Sequence, residues 1–392
     1  MPFEEAGRPF GFPEGFGHAP AEGDAVLLLR CLLGPTPRSL HALIWAAGSA
    51  SATVRRIRKG GAGSDNDRAF LGTADPAAIR ERLAAIGARF AQPGDPDYWP
   101  AFLRLEDPPV GVFVRGRPLD PGDERVAVVG SRRPTPTGRE VAADLASGLA
   151  SCGIVTVSGG AFGIDTAAHR GALVAGGATV AVLGSGIDQP HPRGNRRLFA
   201  DIESAGTLIS EYPPGVPAEP FRFPARNRLI AALSRAVIVV EGATKSGARI
   251  TAEHAMELGL EVFAVPGAVT NPLAETPLEL IREGATLIRG LDDLLHDLGV
   301  DPSRIGRGRS AAGLSADERR VYERLAGPTL PTSVARDAGL SLEAAVAALI
   351  GLELRGLVRG RGGRFERTFA GRAADPSARR SSSEGSGRPP DG

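Results

Sequence analysis

From Arg125 to about Ile288 the chain alternates short, continuously apolar runs with segments of helix length, and few folds can accommodate that rhythm. The apolar runs are "RVAVVGS", "IVTVSGG", "TVAVLGSG", "TLISEY", "AVIVVEG" and "EVFAVPG". Between them lie "GREVAADLASGLASCG", "GIDTAAHRGALVAGG", "NRRLFADIESAG", "RNRLIAALS" and "ITAEHAMELGL". A strand that is apolar along its whole length must be covered on both faces, and parallel strands need a long crossover to join them. The pattern therefore predicts an α/β fold, a Rossmann-like, doubly wound, mostly parallel sheet with helices on both faces. Nearly every run ends in Gly or Ser, so the chain can turn tightly into the next helix. In open sheets those carboxyl ends border the ligand crevice.

The flanks read differently, and 392 residues leave room for two or three domains. Residues 1–22 are Gly/Pro-rich and predicted to be flexible. Residues 23–88 form a small helical domain of short amphipathic helices broken at "GPTP". The core, residues 89–297, opens with a proline-punctuated connector containing one strand, "VGVFVRG". A linker covers 298–313. In residues 314–370, "SADERRVYERLAG", "LPTSVARDAG" and "SLEAAVAALIGLELRG" fit three helices, and "LVRGRGGRFER" fits a hairpin with a Gly-Gly turn, which is the pattern of a winged helix. Residues 371–392 are rich in Ser, Gly, Pro and charge, the composition of a disordered tail.

Composition narrows the function classes. The formal net charge is +1, so nucleic-acid contact requires a local concentration of cations. Nearly all the basic residues are arginine, with lysine only at Lys59 and Lys245. Aromatic content of 5% limits long base-stacking surfaces. The apolar runs fall short of the roughly 18 residues of a membrane span, and "MPFEEAGRPFGFPEG" lacks the pattern of a secretory signal. Cys31 and Cys152 cannot build a disulfide framework or a thiolate metal site by themselves. His191, between prolines, has no second histidine or cysteine beside it. The expectation is a cytoplasmic protein with no metal, no cofactor and no membrane contact.

The glycine-terminated strands suit an anion. "VAVVGSRRPTPTGRE" delivers Gly130, Ser131 and Arg132 to the sheet edge, and "TPTGRE" starts a helix. Backbone N–H groups, a hydroxyl and a guanidinium there form either a phosphate cradle or a plain strand-to-helix turn. In "VSGGAFGIDTAAHRGAL", Gly159, Gly160 and Gly163 permit close approach to a ligand, although the loop lacks the G-x-G-x-x-G form. Asp165 either caps the next helix or contacts a ligand, and His169 reads as a packed histidine. In "RFPARNRLIAALSRAVIVVEGATKSG", Pro224 precedes a short helix starting near Arg226, whose first turn would hold Arg226, Asn227 and Arg228. Cations there oppose the helix dipole, a conflict that a bound anion relieves. Lys245, Ser246 and Gly247 sit at another helix start, without the order of a P-loop. Arg132, Arg226 and Lys245 in adjacent crevices suit a polyanionic backbone better than one small metabolite.

The blocks "GSRRPTPTG", "SGGAFGIDTAAHRGAL", "TVAVLGSGID", "LISEYPPG", "FPARNRLIAALSRAVIVVEG", "SGARITAEHAMELGLEVFAVPG" and "LIREGA" closely resemble, in order, the core of the DNA-processing protein A family (DprA, also called Smf). The resemblance covers roughly residues 90–290, and the flanks are similar to the family's small helical, SAM-like N-terminal domain and its winged helix. It implies a Rossmann-like core that is not an enzyme. Such a core binds and protects single-stranded DNA without regard to sequence, dimerises, and loads RecA recombinase in natural transformation. It implies a DNA pocket comprising Gly130, Ser131, Arg132, Ser158, Gly159, Arg226, Asn227, Lys245 and Ser246; Gly160, Arg228 and Gly247 adjoin these. Thr276 and Leu278 stand where the family has glycine and asparagine, and Gly160 stands where it more often has a bulkier apolar residue.

The hairpin carries Arg355, Arg359, Arg361, Arg364 and Arg367 on or beside its strands. Arg359, Arg361 and Arg364 are candidate backbone contacts; a solvated face or a protein-docking surface is the other reading. The alternative function is an enzyme acting on a nucleotide or nucleoside phosphate. Its general acid or base would be Glu211, Glu241, Asp165 or Asp188, none of which is paired at an informative spacing.

Overall fold

The structure is a computed structural model that describes residues 12, 13, 16, 19–118, 120–300, 314–325, 327–354 and 357–367. Five helices come first: α1 (Pro20–Arg30), α2 (Pro37–Ala47), α3 (Ala50–Arg58), α4 (Asp65–Thr73) and α5 (Pro76–Ala85). Proline opens α1, α2 and α5, at positions whose N–H has no partner inside a helix anyway. Thr36, Ser49, Ser64 and Asp75 cap α2 to α5 through their side-chain oxygens. The apolar stripes of these helices do not close a separate core. Leu27, Leu40, Ile44, Ile57 and Leu71 belong to one buried cluster with Phe113, Leu183, Leu198 and Phe199, so the helical segment is docked on the sheet that follows.

That sheet has nine strands: β1 (Ala88–Ala91), β2 (Val112–Gly116), β3 (Arg125–Val129), β4 (Val155–Ser158), β5 (Thr179–Leu183), β6 (Thr207–Ser210), β7 (Ala236–Val239), β8 (Glu261–Ala264) and β9 (Thr286–Leu287). Their order is β1-β2-β6-β5-β4-β3-β7-β8-β9. Strands β3 to β9 pair in parallel, and β1 and β2 add an antiparallel edge. The crossovers carry α6 (Pro136–Ser151), α7 (Ile164–Val174), α8 (Arg196–Ala205), α9 (Arg222–Ala232), α10 (Gly247–Glu257) and α11 (Glu275–Arg282), and α12 (Leu291–Asp297) follows β9. Side chains alternate across each strand, so each strand feeds two cores. Ala127 and Val129 pack with Leu229, Ile230 and Ala252 from α9 and α10. Val126 and Val128 pack on the other face with Leu145, Ala168 and Leu294 from α6, α7 and α12.

Helix α9 starts at Arg222, earlier than the expected start near Arg226. Pro224 lies inside its first turn, where the missing N–H has no intrahelical acceptor, so the helix contains it instead of starting after it. The Arg226–Arg228 triplet is thereby moved out of the first turn.

A third unit follows: α13 (Ala316–Arg324), α14 (Pro331–Ala338), α15 (Leu342–Leu354), β10 (Val358–Arg361) and β11 (Arg364–Arg367). Gly362 and Gly363 both take positive φ, 55° and 74°, as the tight turn between twisted strands requires. Thr329 pairs with Phe365, and Val321, Val334, Leu349 and Leu352 form the unit's own core. Most of the N-terminal segment expected to be flexible, residues 301–313 of the expected linker, and the expected tail lie outside the described residues. Among the described residues no helix is long and apolar enough to cross a membrane.

Two predictions follow from this packing. A Cβ at Gly171 of α7 would land on the Ala143 carbonyl oxygen of α6, a backbone atom. Gly171→Ala should therefore lower the free energy of unfolding by about 1–3 kcal/mol in urea denaturation. His169 on α7 is fully buried, its Nδ1 lying 2.7 Å from Thr179 Oγ1, which itself donates to the Thr156 carbonyl. Burial, assisted by the Arg226 charge, pushes its pKa from 6.5 down to about 3. The unfolded chain takes up this proton as pH falls through 6.5 and the folded chain does not, so stability is lost on acidification between those values. Urea unfolding should show a loss of about 2 kcal/mol between pH 6.5 and 5 from this group, and His169→Gln should flatten that dependence.

Candidate nucleic-acid interface

The strand order reverses between β3 and β7: the chain runs outward from β3 through β4, β5 and β6, then returns to the other side of β3. The loops after β3 and β7 diverge there and open a crevice at the strands' carboxyl ends. The Ser131 amide donates to the Glu241 carbonyl at 2.6 Å, which fixes the two loops against each other. A Cβ at Gly130 would meet Ile164 at 2.7 Å and the Glu241 carbonyl at 2.9 Å, so this close approach requires glycine.

The crevice encloses about 560 Å³. Gly130, Ser131 and Arg132 line it from the β3 loop, Arg226 and Asn227 from α9, and Lys245, Ser246 and Gly247 from the start of α10. Eight of the residues expected at the site are thus brought together. Arg132 and Lys245 are exposed. Arg226 is a different kind of cation, only 4% exposed. Its Nη1 donates to the Gly159 carbonyl at 2.9 Å and to the Val182 carbonyl, and its Nε donates to Asn227 Oδ1 at 3.2 Å. Asn227 Nδ2 in turn donates to the Gly247 carbonyl at 3.0 Å, tying α9 to the start of α10. Burial lowers the Arg226 pKa to about 10, Asp165 opposing the shift and Arg132 adding to it, so the guanidinium stays charged at neutral pH.

The carboxylates around the crevice are taken up internally. Glu241 accepts from the Thr135 amide at 2.8 Å and the Thr135 hydroxyl at 2.6 Å. The start of α6, read from sequence as part of a phosphate cradle, is therefore already occupied by an anion. Asp165 accepts from the Gly159 and Ala161 amides at 3.1 and 3.3 Å and staples the glycine loop. Burial raises its pKa, and Arg226 and the amides hold it back. Helix α7 is capped by Gly163, with Asp165 inside its first turn. The start of α10 differs. Ser246 accepts from Ala248 N at 3.2 Å, and nothing lies within 4 Å of the place where a Gly247 Cβ would stand. This helix end, with its positive dipole, opens to the crevice.

Four expected site residues do not line the crevice. Arg228 is two positions from Arg226 and therefore about 200° round the helix. It lies 3.0 Å from Glu211 and 3.1 Å from Asp107 in a buried ion pair. Burial alone would lower its pKa, but the two carboxylates push it up. It is a structural residue, not a free cation. Ser158 is fully buried and donates to the Val128 carbonyl at 2.7 Å. Gly159 and Gly160 form the floor behind the wall: a Cβ on Gly159 would crowd Arg226 Nη2 at 2.5 Å, and one on Gly160 would strike the Phe199 ring. The acid–base candidates are likewise engaged, Glu211 with Arg228 and Asp188 with the Gly215 amide at 2.9 Å.

Sequence reasoning missed Phe223, which lines the crevice with the Arg132 guanidinium 5.2 Å from its ring centroid. The alternation of aromatic and arginine in "FRFPARN" is the signal that marks it. It also left Thr276 without a role. That hydroxyl donates to the Ala243 carbonyl at 2.7 Å and its amide to the Gly242 carbonyl at 2.9 Å, latching the loop that bears Lys245. In the wing, Arg359 and Arg361 lie on β10 and Arg364 on β11. The Arg364 side chain is exposed, Arg367 stacks at 4.5 Å on Tyr322, and Arg355 is outside the described residues.

Comparisons with known proteins agree with this architecture. The profile of the DNA recombination-mediator protein A family matches residues 89–299, and that of the DprA winged helix domain matches 306–364. A Mycobacterium tuberculosis relative with DprA in its name is 40% identical over 371 residues, covering 87% of this chain and 93% of the relative. The DNA processing protein DprA of Streptococcus pneumoniae is 45% identical over 193 residues, or 49% of this chain and 68% of that protein. An X-ray structure of the protein from that organism superposes with a TM-score of 0.53 at 33% identity, covering 68% of this chain and 99% of the other. The chain belongs to the DNA recombination-mediator protein A family.

Proposed function

We propose that the crevice binds single-stranded DNA through its phosphodiester backbone, without regard to sequence, and that the bound strand is passed to the RecA recombinase. One observation carries this reading. Arg132, Arg226 and Lys245 line one crevice together with the open start of α10, and the carboxylates beside it are spent on Thr135, on loop amides and on Arg228. The result is local positive charge on a chain whose net charge is +1. Charge of this kind favours phosphate contacts that position a strand without reading it. Phe223 adds a ring on which any base can stack.

The family's description as a recombination mediator supports the transfer step; a cytoplasmic, homodimeric, non-enzymatic protein acting in transformation and recombination is part of the same proposal. The engagement of Glu211, Glu241, Asp165 and Asp188 supports binding over catalysis. The winged helix is a second candidate DNA contact through Arg364.

Fluorescence anisotropy with a labelled oligonucleotide tests the assignment. Arg132→Ala and Lys245→Ala should each weaken binding about tenfold, the loss expected for one charge-assisted contact, and equally for dT and mixed-sequence strands. Arg228→Ala should act through folding, lowering stability by about 3–5 kcal/mol by stranding Glu211 and Asp107. Unchanged affinity in both crevice variants would refute the pocket.

A further inference from the structure

The loop after β5 carries charge that the fold does not use. Between Asp188 and Asp201 the chain reads "QPHPRGNRRLFA", with three arginines and no acidic residue. Arg193, Arg196 and Arg197 are all exposed, and among the described residues no carboxylate pairs with them, Asp201 of the same helix included. Exposed arginines elsewhere on the core do find carboxylates, as Arg235 finds Glu124 and Arg289 finds Asp293. None of the three lines the crevice. They make a separate patch of local positive charge around the start of α8.

Two aromatic contacts join this patch to the crevice. Phe223, in the crevice wall, lies against the end of β5, where a Gly184 Cβ would stand 2.9 Å from its ring. The exposed His191 ring sits beside it, with centroids 5.8 Å apart and planes tilted by 46°. His191 is two residues before Arg193. On the glycine loop, Ala161 lines the crevice and the next residue, Phe162, is 49% exposed. A Cβ on Gly194 would stand 2.9 Å from the Phe162 ring, so that ring lies on the backbone just after Arg193. Asn195 holds the two loops together. It is buried, and its Nδ2 donates to the Gly160 carbonyl at 3.0 Å and to Thr166 Oγ1 at 2.8 Å. A single exposed ring is ordinary on a protein surface. Here two rings and three unpaired cations adjoin a cationic crevice, the combination with which single-strand grooves hold bases and phosphates.

We propose that a single strand leaving the crevice continues over this loop, its bases against His191 and Phe162 and its phosphates drawn to Arg193, Arg196 and Arg197. The inference rests on the crevice reading, because the crevice supplies the other half of the track. It goes beyond that reading in giving the strand a path, from the β3/β7 reversal across the end of β5 to α8. A duplex keeps its bases stacked inside and offers none to the two rings.

Fluorescence anisotropy with labelled dT strands of two lengths tests the path: about 6 nucleotides, near the smallest site of such binders, and about 20, beyond the largest. Phe162→Ala should weaken binding of the long strand about tenfold and leave the short strand unchanged. Arg193→Gln, Arg196→Gln and Arg197→Gln combined should do the same. The combined variant should also make the salt dependence for the long strand shallower by about 2, three single-strand phosphate contacts at about 0.7 each. All four side chains are exposed, so both proteins should keep the unfolding midpoint of the unaltered chain. If Phe162→Ala does unfold, the arginine variant decides alone. Arg132→Ala reports on the crevice and should weaken both lengths. Where it does so and the patch variants weaken neither length, the path is overturned and the crevice reading stands. The path is also overturned if the patch variants weaken both lengths equally, or weaken only a duplex. If they weaken the long strand while Arg132→Ala has no effect, the crevice reading fails and the continuous track fails with it.

Discussion

Glu241 holds the crevice open at a fixed width, and the other contacts at the site depend on it. Its carbonyl accepts the Ser131 amide and its carboxylate accepts the amide and hydroxyl of Thr135. One residue at the end of β7 therefore grips both the β3 loop and the helix that follows it. The charge it carries satisfies the start of α6, and Gly138 leaves room for it, since a Cβ there would collide with the carboxylate. Without this brace the loops bearing Arg132 and Lys245 would have no common reference.

The electrostatic design separates two populations of charge. Carboxylates near the crevice face inward and each satisfies something: Asp165 the glycine loop, Glu211 the buried Arg228, Glu241 the α6 start. The cations are graded by exposure, from Arg226, fixed by carbonyl oxygens within the wall, to Arg132 and Lys245 at the mouth. A preformed cation in the wall costs no side-chain entropy when a phosphate arrives, while the exposed pair can follow a strand of variable path. His169, held neutral behind the wall, supplies no proton switch in the physiological range.

Much of the fold could be read from local pattern, and what could not be read was non-local. Strands β3 to β8 announce themselves because each is a buried apolar run ended by a turn residue. Strand β1 does not: "ARFA" becomes a strand only by pairing with β2, with Arg89 joined to Asp97. β9 is two residues long and exists through β8. At the site, Lys245, Ser246 and Gly247 were legible because a helix start is a local feature. Arg228, expected beside the ligand, lies off the crevice because Glu211 and Asp107, 17 and 121 residues away, take its guanidinium, and no spacing in the sequence connects either to it. Ser158, Gly159 and Gly160 were assigned to the ligand although they serve the wall behind it. The helical segment looked like a separate domain because its amphipathic pattern does not reveal what covers it; Phe113, Leu183 and Phe199 do.

The central claim is that phosphates, held by cations converging at the β3/β7 reversal, supply the binding energy. The salt dependence of single-stranded DNA affinity measures this directly, since each neutralised phosphate releases counterions. The account predicts a linear fall of log K with log salt concentration, made shallower by about 0.7 in Lys245→Ala, the slope of one phosphate contact on a single strand. A flat dependence, or a slope that Lys245→Ala leaves unchanged, would contradict it.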